Sequence, residues 1–156
     1  MRLLVVRHAK AVEREGWRQD DSERPLTEAG ERTARRMARW LADAHGVQGI
    51  LTSPWLRARQ TAEIFATAWS LPLRACDWLA GDGAAPEGRA AQLNPATDVA
   101  VVGHEPDLGE LIGHLIGGAP IPLRKGGVAI LEGTPRIADM RLVALLPPKV
   151  LAAVVR

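Results

Sequence analysis

Short apolar segments alternate along the chain with longer amphipathic ones. Residues 3–6 and 99–102 are continuous apolar runs, the pattern of strands that are buried on both faces. Four further strands are predicted at residues 47–51, 71–76, 128–131 and 140–146. Residues 11–25 are polar and have no apolar period, so they predict a long surface loop. Residues 77–95 are rich in Gly, Pro and Ala and predict a loop with a short helix.

Three main helices are predicted between these strands. The first begins after the cap residue Thr27 and runs to about residue 44. The second has Ser53 as its N-cap, and the third opens at Glu105. Strands that alternate with helices predict an α/β fold, a three-layer sandwich with a mainly parallel central sheet flanked by helices. The chain is expected to form one domain over residues 1–156.

Composition and charge narrow the class of protein. The chain is 47% hydrophobic and 24% charged, which is typical of a globular protein. Lys and Arg number 20 and Asp and Glu 18, a net charge of +2 that does not favour binding to nucleic acid. No apolar stretch is long enough to predict a membrane span. The one cysteine, Cys76, permits no internal disulfide, so a cytoplasmic location is expected.

Polar residues of one chemical kind follow several of the predicted strands. Arg7 and His8 end the first strand, Arg57 lies just after the second, and His104 follows the strand at 99–102. Each of them alone is as readily a surface or capping residue as part of a site. In a parallel sheet they converge on one edge, where arginine forks and helix N-termini favour a phosphoryl group. Arginines repel metal ions, so neither a metal nor another cofactor is predicted.

At these residues the sequence resembles the histidine phosphatase superfamily, whose fold is called phosphoglycerate-mutase-like, and in particular its short SixA-type phosphohistidine phosphatase branch. The resemblance implies that His8 is the nucleophile that becomes phosphorylated. It implies that Arg7, Arg57 and His104 complete the phosphate pocket, and that Arg24 also reaches the phosphate. The matching segments follow the family order and are VVRHAKA (5–11), RPLTEAG (24–30), SPWLRARQTA (53–62), VVGHEP (101–106) and, more weakly, KGGVAILE (125–132).

The sequence departs from the family pattern at two places. Ala9 stands where a glycine usually follows the histidine, so altered local geometry is expected there. No clear equivalent is present of the glutamate that donates a proton in the larger relatives. Asp21, Asp82 and Glu105 are candidate proton donors, although each of them is as readily a solvated loop carboxylate or a cap.

The lack of a clear proton donor in the sequence favours one substrate class. An alkoxide leaving group needs a proton, whereas a protonated phosphoimidazole leaves easily without one. The predicted function is therefore hydrolysis of phosphohistidine on a protein, such as a histidine phosphotransfer domain. One alternative is a phosphomonoesterase of the same fold that acts on small phosphate esters. The other is a non-catalytic phosphate-binding or docking module that uses the arginines of the first helix, Arg32, Arg35, Arg36 and Arg39.

Overall fold

The computed structural model describes residues 1–154, in which one mixed sheet lies between two layers of helices. The strands are β1 (Arg2–Arg7), β2 (Gly49–Thr52), β3 (Leu73–Ala75), β4 (Val99–Gly103), β5 (Val128–Gly133) and β6 (Met140–Leu146). The helices are α1 (Glu28–Trp40), α2 (Leu56–Trp69), α3 (Pro86–Ala90), α4 (Asp107–Ile116) and α5 (Pro148–Val154). Short 3-10 turns span Asp21–Glu23 and Asp77–Leu79.

The sheet has the strand order β3-β2-β4-β1-β5-β6. The pairs β3–β2, β2–β4 and β4–β1 are parallel, and β5 runs antiparallel to both of its neighbours. The predicted α/β sandwich with a mainly parallel sheet is therefore confirmed. Because β1 and β4 lie at the centre of the sheet, the residues that follow them come out at the middle of its carboxyl edge.

Each face of the sheet has its own apolar core. The side chains of β1 alternate, so that Leu4 and Val6 face α1, α2 and α5 while Leu3 and Val5 face α3 and α4. All four side chains have no exposed surface. Complete burial of one such side chain contributes roughly 1.5–3 kcal/mol relative to exposure. The central strand is thus a fixed base for the residues at its end.

Close backbone contact holds the start of α1 against the chain that leaves β1. The backbone N–H of Thr27 donates to the Lys10 carbonyl (2.9 Å), and the Thr27 hydroxyl accepts from Gly30 N–H (3.0 Å). Thr27 is therefore the N-cap, as predicted. A Cβ atom at Gly30 would overlap the carbonyl oxygen of Lys10, so this position requires glycine.

Several helices and strands have other boundaries in the structure than the sequence predicts. α1 ends at Trp40, because residues 41–44 form a turn instead of a further helical turn. The two outer parallel strands are shorter than expected, at Gly49–Thr52 and Leu73–Ala75. The helix α5 was not predicted, and its Leu151 is buried against the core on the α1 side. Within residues 1–154 no helix has both the length and the apolar character that crossing a membrane requires.

Two helices begin later than their sequence signals suggest. α2 starts at Leu56, and the Ser53 side chain accepts a hydrogen bond from Trp55 N–H without capping the helix. α4 starts at Asp107, while the Glu105 carboxylate accepts from Gly109 N–H in its first turn. Both changes leave polar residues between a strand and its helix, at the carboxyl edge of the sheet.

Candidate active site

The carboxyl ends of three parallel strands bring the predicted site residues together. In the sheet register Arg7 lies beside Gly103, so His8 and His104 leave neighbouring strands at the same level. Their ring centroids are 5.2 Å apart. Arg57 lies in the first turn of α2, and its guanidinium stacks over the Trp55 ring, which also contacts His104. The convergence expected from a parallel sheet is what the structure has.

The His8 backbone and ring are both fixed. Its N–H donates to the Gly103 carbonyl (3.1 Å), and its own carbonyl accepts from Gly126 N–H (3.0 Å). The ring atom Nδ1 lies 2.8 Å from the Ala9 carbonyl oxygen. A carbonyl can only accept, so Nδ1 of the neutral ring carries the proton and Nε2 keeps its lone pair.

The protonation state of His8 suits a nucleophile. Burial lowers its pKa to about 4, the hydrogen bond to Ala9 opposes this shift, and the charges of Arg57 and Arg7 add to it. The residue is 6% exposed, and with this pKa its ring is neutral at physiological pH. A neutral imidazole with a free Nε2 lone pair can attack phosphorus.

His104 presents the opposite group to the pocket. Its Nε2 lies 2.8 Å from the Ser53 hydroxyl, while its buried Nδ1 has no partner among the described residues. Burial lowers the pKa of His104 to about 3, and the charges of His8 and Arg57 contribute, so the ring is neutral. The Ser53 oxygen already accepts from Trp55 N–H (3.1 Å), and Nε2 is the acceptor within reach of its own proton. When the Ser53 hydroxyl donates to Nε2, the neutral ring carries its proton on Nδ1, and we assign His104 to this tautomer, in which Nδ1 is a free donor.

Three arginines are each held by one end. In each case an NH1 atom donates to a backbone carbonyl, which fixes the guanidinium plane. The Nε atoms of Arg7 and Arg57 are buried and have no partner within the described chain. Burial lowers the pKa of both groups, yet both remain cations near neutral pH. The pairs are Arg7 with Leu123 (2.8 Å), Arg24 with Val12 (2.7 Å) and Arg57 with Asp21 (2.8 Å).

Unpartnered buried donors point to the kind of ligand that this site takes. Buried polar groups in proteins are nearly always hydrogen-bonded, so each exception needs an explanation. Among residues 1–154 the orphan atoms are Arg7 Nε, Arg57 Nε and His104 Nδ1, which belong to residues that end or follow strands at the carboxyl edge of the sheet. An anion with several oxygen atoms would satisfy all three. No group of three or more potential metal ligands from His, Cys, Asp and Glu is assembled within residues 1–154.

The three candidate proton donors have their carboxylates engaged. Asp82 accepts from the buried Arg89 (2.6 Å), which also binds Asp107. Glu105 accepts from the backbone N–H groups of Leu123 (2.9 Å) and Gly109 (3.1 Å), and burial raises its pKa. Asp21 forms ion pairs with Arg24 and Arg57. Each of these carboxylates therefore has a structural partner.

Ala9 fits its position without strain. Outside glycine, positive φ angles among the described residues occur at Ser70 and Ala138. Ala9 is therefore in an ordinary backbone conformation, with its N–H donating to the Thr61 hydroxyl (3.1 Å) and its methyl group buried. The altered geometry expected at this departure from the family pattern is not a left-handed backbone.

Sequence reasoning missed two residues that support the site. The sequence predicts Ser53 as a helix cap, although its place just before the Arg57 segment also fits a role in the site. Arg89 lies in the predicted loop and short helix, where nothing in the sequence indicates a buried arginine. Its side chain is 2% exposed and ties α3 to the start of α4.

Comparison with known proteins identifies the family. The family model of the histidine phosphatase superfamily (branch 1) matches residues 3–81. An uncharacterized protein of Picosynechococcus sp. is 35% identical over 166 residues, which cover 96% of this chain and 98% of that protein.

Solved structures give the same result over nearly the full length. The protein histidine phosphatase SixA in complex with tungstate has a TM-score of 0.82 at 28% identity, and the match covers 97% of this chain and 99% of that one. A SixA protein of Agrobacterium tumefaciens has a TM-score of 0.78 at 28% identity, covering 94% and 97%. The chain therefore belongs to the histidine phosphatase superfamily, in its SixA-type branch, and is a phosphatase.

Proposed function

We propose that this phosphatase hydrolyses phosphohistidine on a partner protein through a phosphohistidine formed on His8. The observation that carries the proposal is the hydrogen bond from His8 Nδ1 to the Ala9 carbonyl, which leaves Nε2 free beside the unpartnered Nε atoms of Arg7 and Arg57. The solved SixA structure holds tungstate, an oxyanion of similar shape to phosphate, which supports an anion site of this kind.

Phosphoryl transfer to the enzyme would proceed in line. The lone pair of His8 Nε2 forms a bond to phosphorus while the bond from phosphorus to the substrate imidazole breaks. Arg7, Arg57 and the His104 Nδ1–H donate to the phosphoryl oxygens as charge builds on them. The substrate imidazole, protonated on its other nitrogen, receives the electron pair and leaves as a neutral ring.

Hydrolysis of the enzyme intermediate would use the same tautomer. Water forms a bond to phosphorus, the bond from phosphorus to Nε2 breaks, and its electron pair returns to the ring. Because Nδ1 keeps its proton against the Ala9 carbonyl, His8 leaves as a neutral imidazole and is ready for another cycle. The proton lost by water goes to phosphate or to solvent.

The substrate class follows from the leaving group. Both imidazoles leave without an added proton, and the candidate acids Asp21, Asp82 and Glu105 all have engaged carboxylates. General acid catalysis typically contributes about 100- to 10,000-fold, so its lack costs an alkyl ester far more than a phosphoimidazole. Phosphohistidine on a protein, for example on a histidine phosphotransfer domain, is therefore the proposed substrate.

A substrate panel tests this function. Rates are measured on a phosphohistidine protein, phosphoserine and 4-nitrophenyl phosphate, with wild type, His8→Ala and the control His45→Asn, whose ring stacks on Trp69 away from the pocket. We expect kcat/KM for phosphohistidine to exceed that for phosphoserine at least about 100-fold. His8→Ala should bind vanadate without turnover. We expect turnover to persist in EDTA, because no step needs a metal ion.

The panel also separates the alternatives. Faster turnover of phosphoserine or other small esters would favour a phosphomonoesterase of this fold. Full activity of His8→Ala would rule out His8 as the nucleophile. An acid-labile phosphoenzyme in wild type, lacking in His8→Ala, would exclude a non-catalytic binding module, whereas binding without reaction on any substrate would support one.

A further inference from the structure

The polar loop at residues 12–25 places the carboxylate of Asp21 next to the phosphate pocket. The loop is closed at its base by a bridge between Ala11 and Leu26. Its 3-10 turn, Asp21–Glu23, packs against α2 and places Asp21 between two arginines. Oδ1 accepts from Arg24 Nε (2.8 Å), and Oδ2 accepts from Arg57 NH2 (3.3 Å).

The contacts of Asp21 divide the Arg57 guanidinium into a bound edge and a free edge. The Asp21 carbonyl accepts from NH1 (2.8 Å) and its carboxylate from NH2, so the end of the fork is occupied by one residue. Arg57 Nε, on the other edge, is buried and unpartnered. The arginine side chain is 6% exposed, so it has little room to turn another edge toward the pocket. Asp21 therefore occupies the end of the Arg57 fork and leaves Nε as its unpartnered nitrogen.

Two other roles for this carboxylate fit the geometry less well. As a general acid it would need a proton at neutral pH. Partial burial raises its pKa, but the hydrogen bond from Arg24 and the charges of Arg57 and Arg24 outweigh burial and lower the pKa overall. As a simple counter-ion it would need no particular geometry, whereas here both oxygens and the backbone carbonyl each meet a separate guanidinium nitrogen.

We propose that Asp21 is a positioning residue of the phosphate pocket, which holds Arg57 and Arg24 so that the free Nε–H of Arg57 meets the phosphoryl group. The inference rests on the proposed function only in requiring that an oxyanion binds beside Arg57. It holds equally for phosphohistidine and for ester substrates. Because this role involves no proton transfer, loss of the Asp21 carboxylate should weaken binding of the anion and of the transition state by the same factor for every leaving group.

Removal of Asp21 has two opposing effects on anion binding. Loss of a negative charge beside the pocket favours binding of an anion, whereas loss of the carboxylate contacts to Arg57 NH2 and Arg24 Nε disfavours it; the backbone carbonyl contact to Arg57 NH1 is retained. Glu23→Gln is the matched control for charge, because Glu23 lies in the same turn, is exposed and has no ion pair within the described residues. Asp21→Asn keeps one acceptor oxygen and separates geometry from charge.

The test measures tungstate binding by calorimetry and kcat/KM on aryl phosphates with leaving groups from 4-nitrophenol to phenol. We expect Asp21→Ala to weaken tungstate binding about 10-fold, the effect of losing about one charge-assisted hydrogen bond. Asp21→Asn should recover part of that loss, and Glu23→Gln should bind as wild type or slightly tighter. Activity should fall by the same factor for every leaving group. Thermal unfolding of each variant confirms that it is folded.

Two outcomes would overturn the inference. A loss of activity that grows with the pKa of the leaving group would make Asp21 a general acid. Unchanged or tighter tungstate binding in Asp21→Ala would make it a counter-ion. The tungstate measurement needs no substrate, so it decides the role of Asp21 even if the phosphohistidine proposal fails.

Discussion

Single side chains in the pocket are held at one atom and free at another. His8 is held through Nδ1 and is free at Nε2, and His104 is held through Nε2 and is free at Nδ1. The two imidazoles therefore present a lone pair and a donor, respectively, although both are neutral and lie at the same edge of the sheet. We attribute this difference to Ser53, because a hydroxyl that donates to Nε2 selects the Nδ1–H tautomer of His104.

Ser53→Ala should lower activity by releasing the His104 tautomer. Without the hydroxyl donor, His104 can carry its proton on Nε2 and turn a lone pair toward the phosphoryl oxygens. We expect kcat to fall at least about 10-fold, less than the roughly 100-fold that complete removal of a transition-state donor costs. The nitrogen chemical shifts of His104 should show a mixture of tautomers, and Ser53→Thr should restore Nδ1–H. An unchanged tautomer with full activity in Ser53→Ala would contradict this role.

Helices α3 and α4 are connected to the site by side chains that lie outside the phosphate pocket. The Arg89 side chain of α3 donates to Asp107 in α4 (2.5 Å) and to Asp82 (2.6 Å) in the loop before α3. A Cβ atom at Gly81 in the same loop would lie 3.5 Å from the His104 ring, so this loop runs close to that side chain. The buried arginine thus connects the α3 and α4 layer to one rim of the pocket.

Loss of Asp107 should destabilise the protein much more than loss of Asp82. Asp107 is 6% exposed at its side chain and Asp82 is 56% exposed, yet both pair with the same guanidinium. Asp107→Ala leaves a buried charge with incomplete compensation, for which we expect a loss of about 3–5 kcal/mol in the free energy of unfolding. Asp82→Ala removes a solvent-exposed partner, for which little or no loss is expected. Urea unfolding measures both, and equal losses would contradict the assignment.

The whole molecule should lose stability in mild acid. The pKa of His8 is about 4 and that of His104 about 3 in the folded protein, both below the ordinary 6.5. Between pH 6.5 and these values the unfolded chain binds more protons, so the free energy of unfolding falls as pH falls. Each histidine contributes about 1.4 kcal/mol per pH unit in that window. Glu105, whose pKa is raised, acts in the opposite direction near its ordinary value of 4.5.

Urea unfolding at a series of pH values from about 7 to 4 checks this dependence, with the expected slope set mainly by these two histidines, whose pKa values are lowered most. The slope should be smaller in His8→Ala, where one of the two groups is missing. His45→Asn should reduce it only over a narrower pH range just below 6.5, since burial against Trp69 also lowers the pKa of His45, but less than it lowers those of the two site histidines. A stability that stays constant over this range would show that the two histidines titrate normally.

At the scale of the whole fold, the sequence predicted what local patterns determine. The apolar runs of β1 and β4 and the polar residues at their ends are each visible within a few positions, so the sheet edge and its histidines could be predicted. The hydrogen bond from Ser53 to His104 joins residues 51 positions apart, and a serine before a proline equally predicts a helix cap. The burial of Arg89 and the formation of α5 depend on tertiary contacts, which the local hydrophobic pattern does not show.

Two strands of opposite direction fix the backbone of His8, since Gly103 of β4 accepts from its N–H and Gly126, before β5, donates to its carbonyl. The backbone of His8 is thus held by the sheet, whereas the segments around the pocket mouth, at residues 12–25 and 77–85, are mostly loops. Mutations in those loops at positions other than Asp21 and Arg24 can alter which molecules reach the ring while the sheet keeps the chemistry unchanged. Diversification of substrates in such a scaffold requires no new catalytic apparatus, only a different entrance.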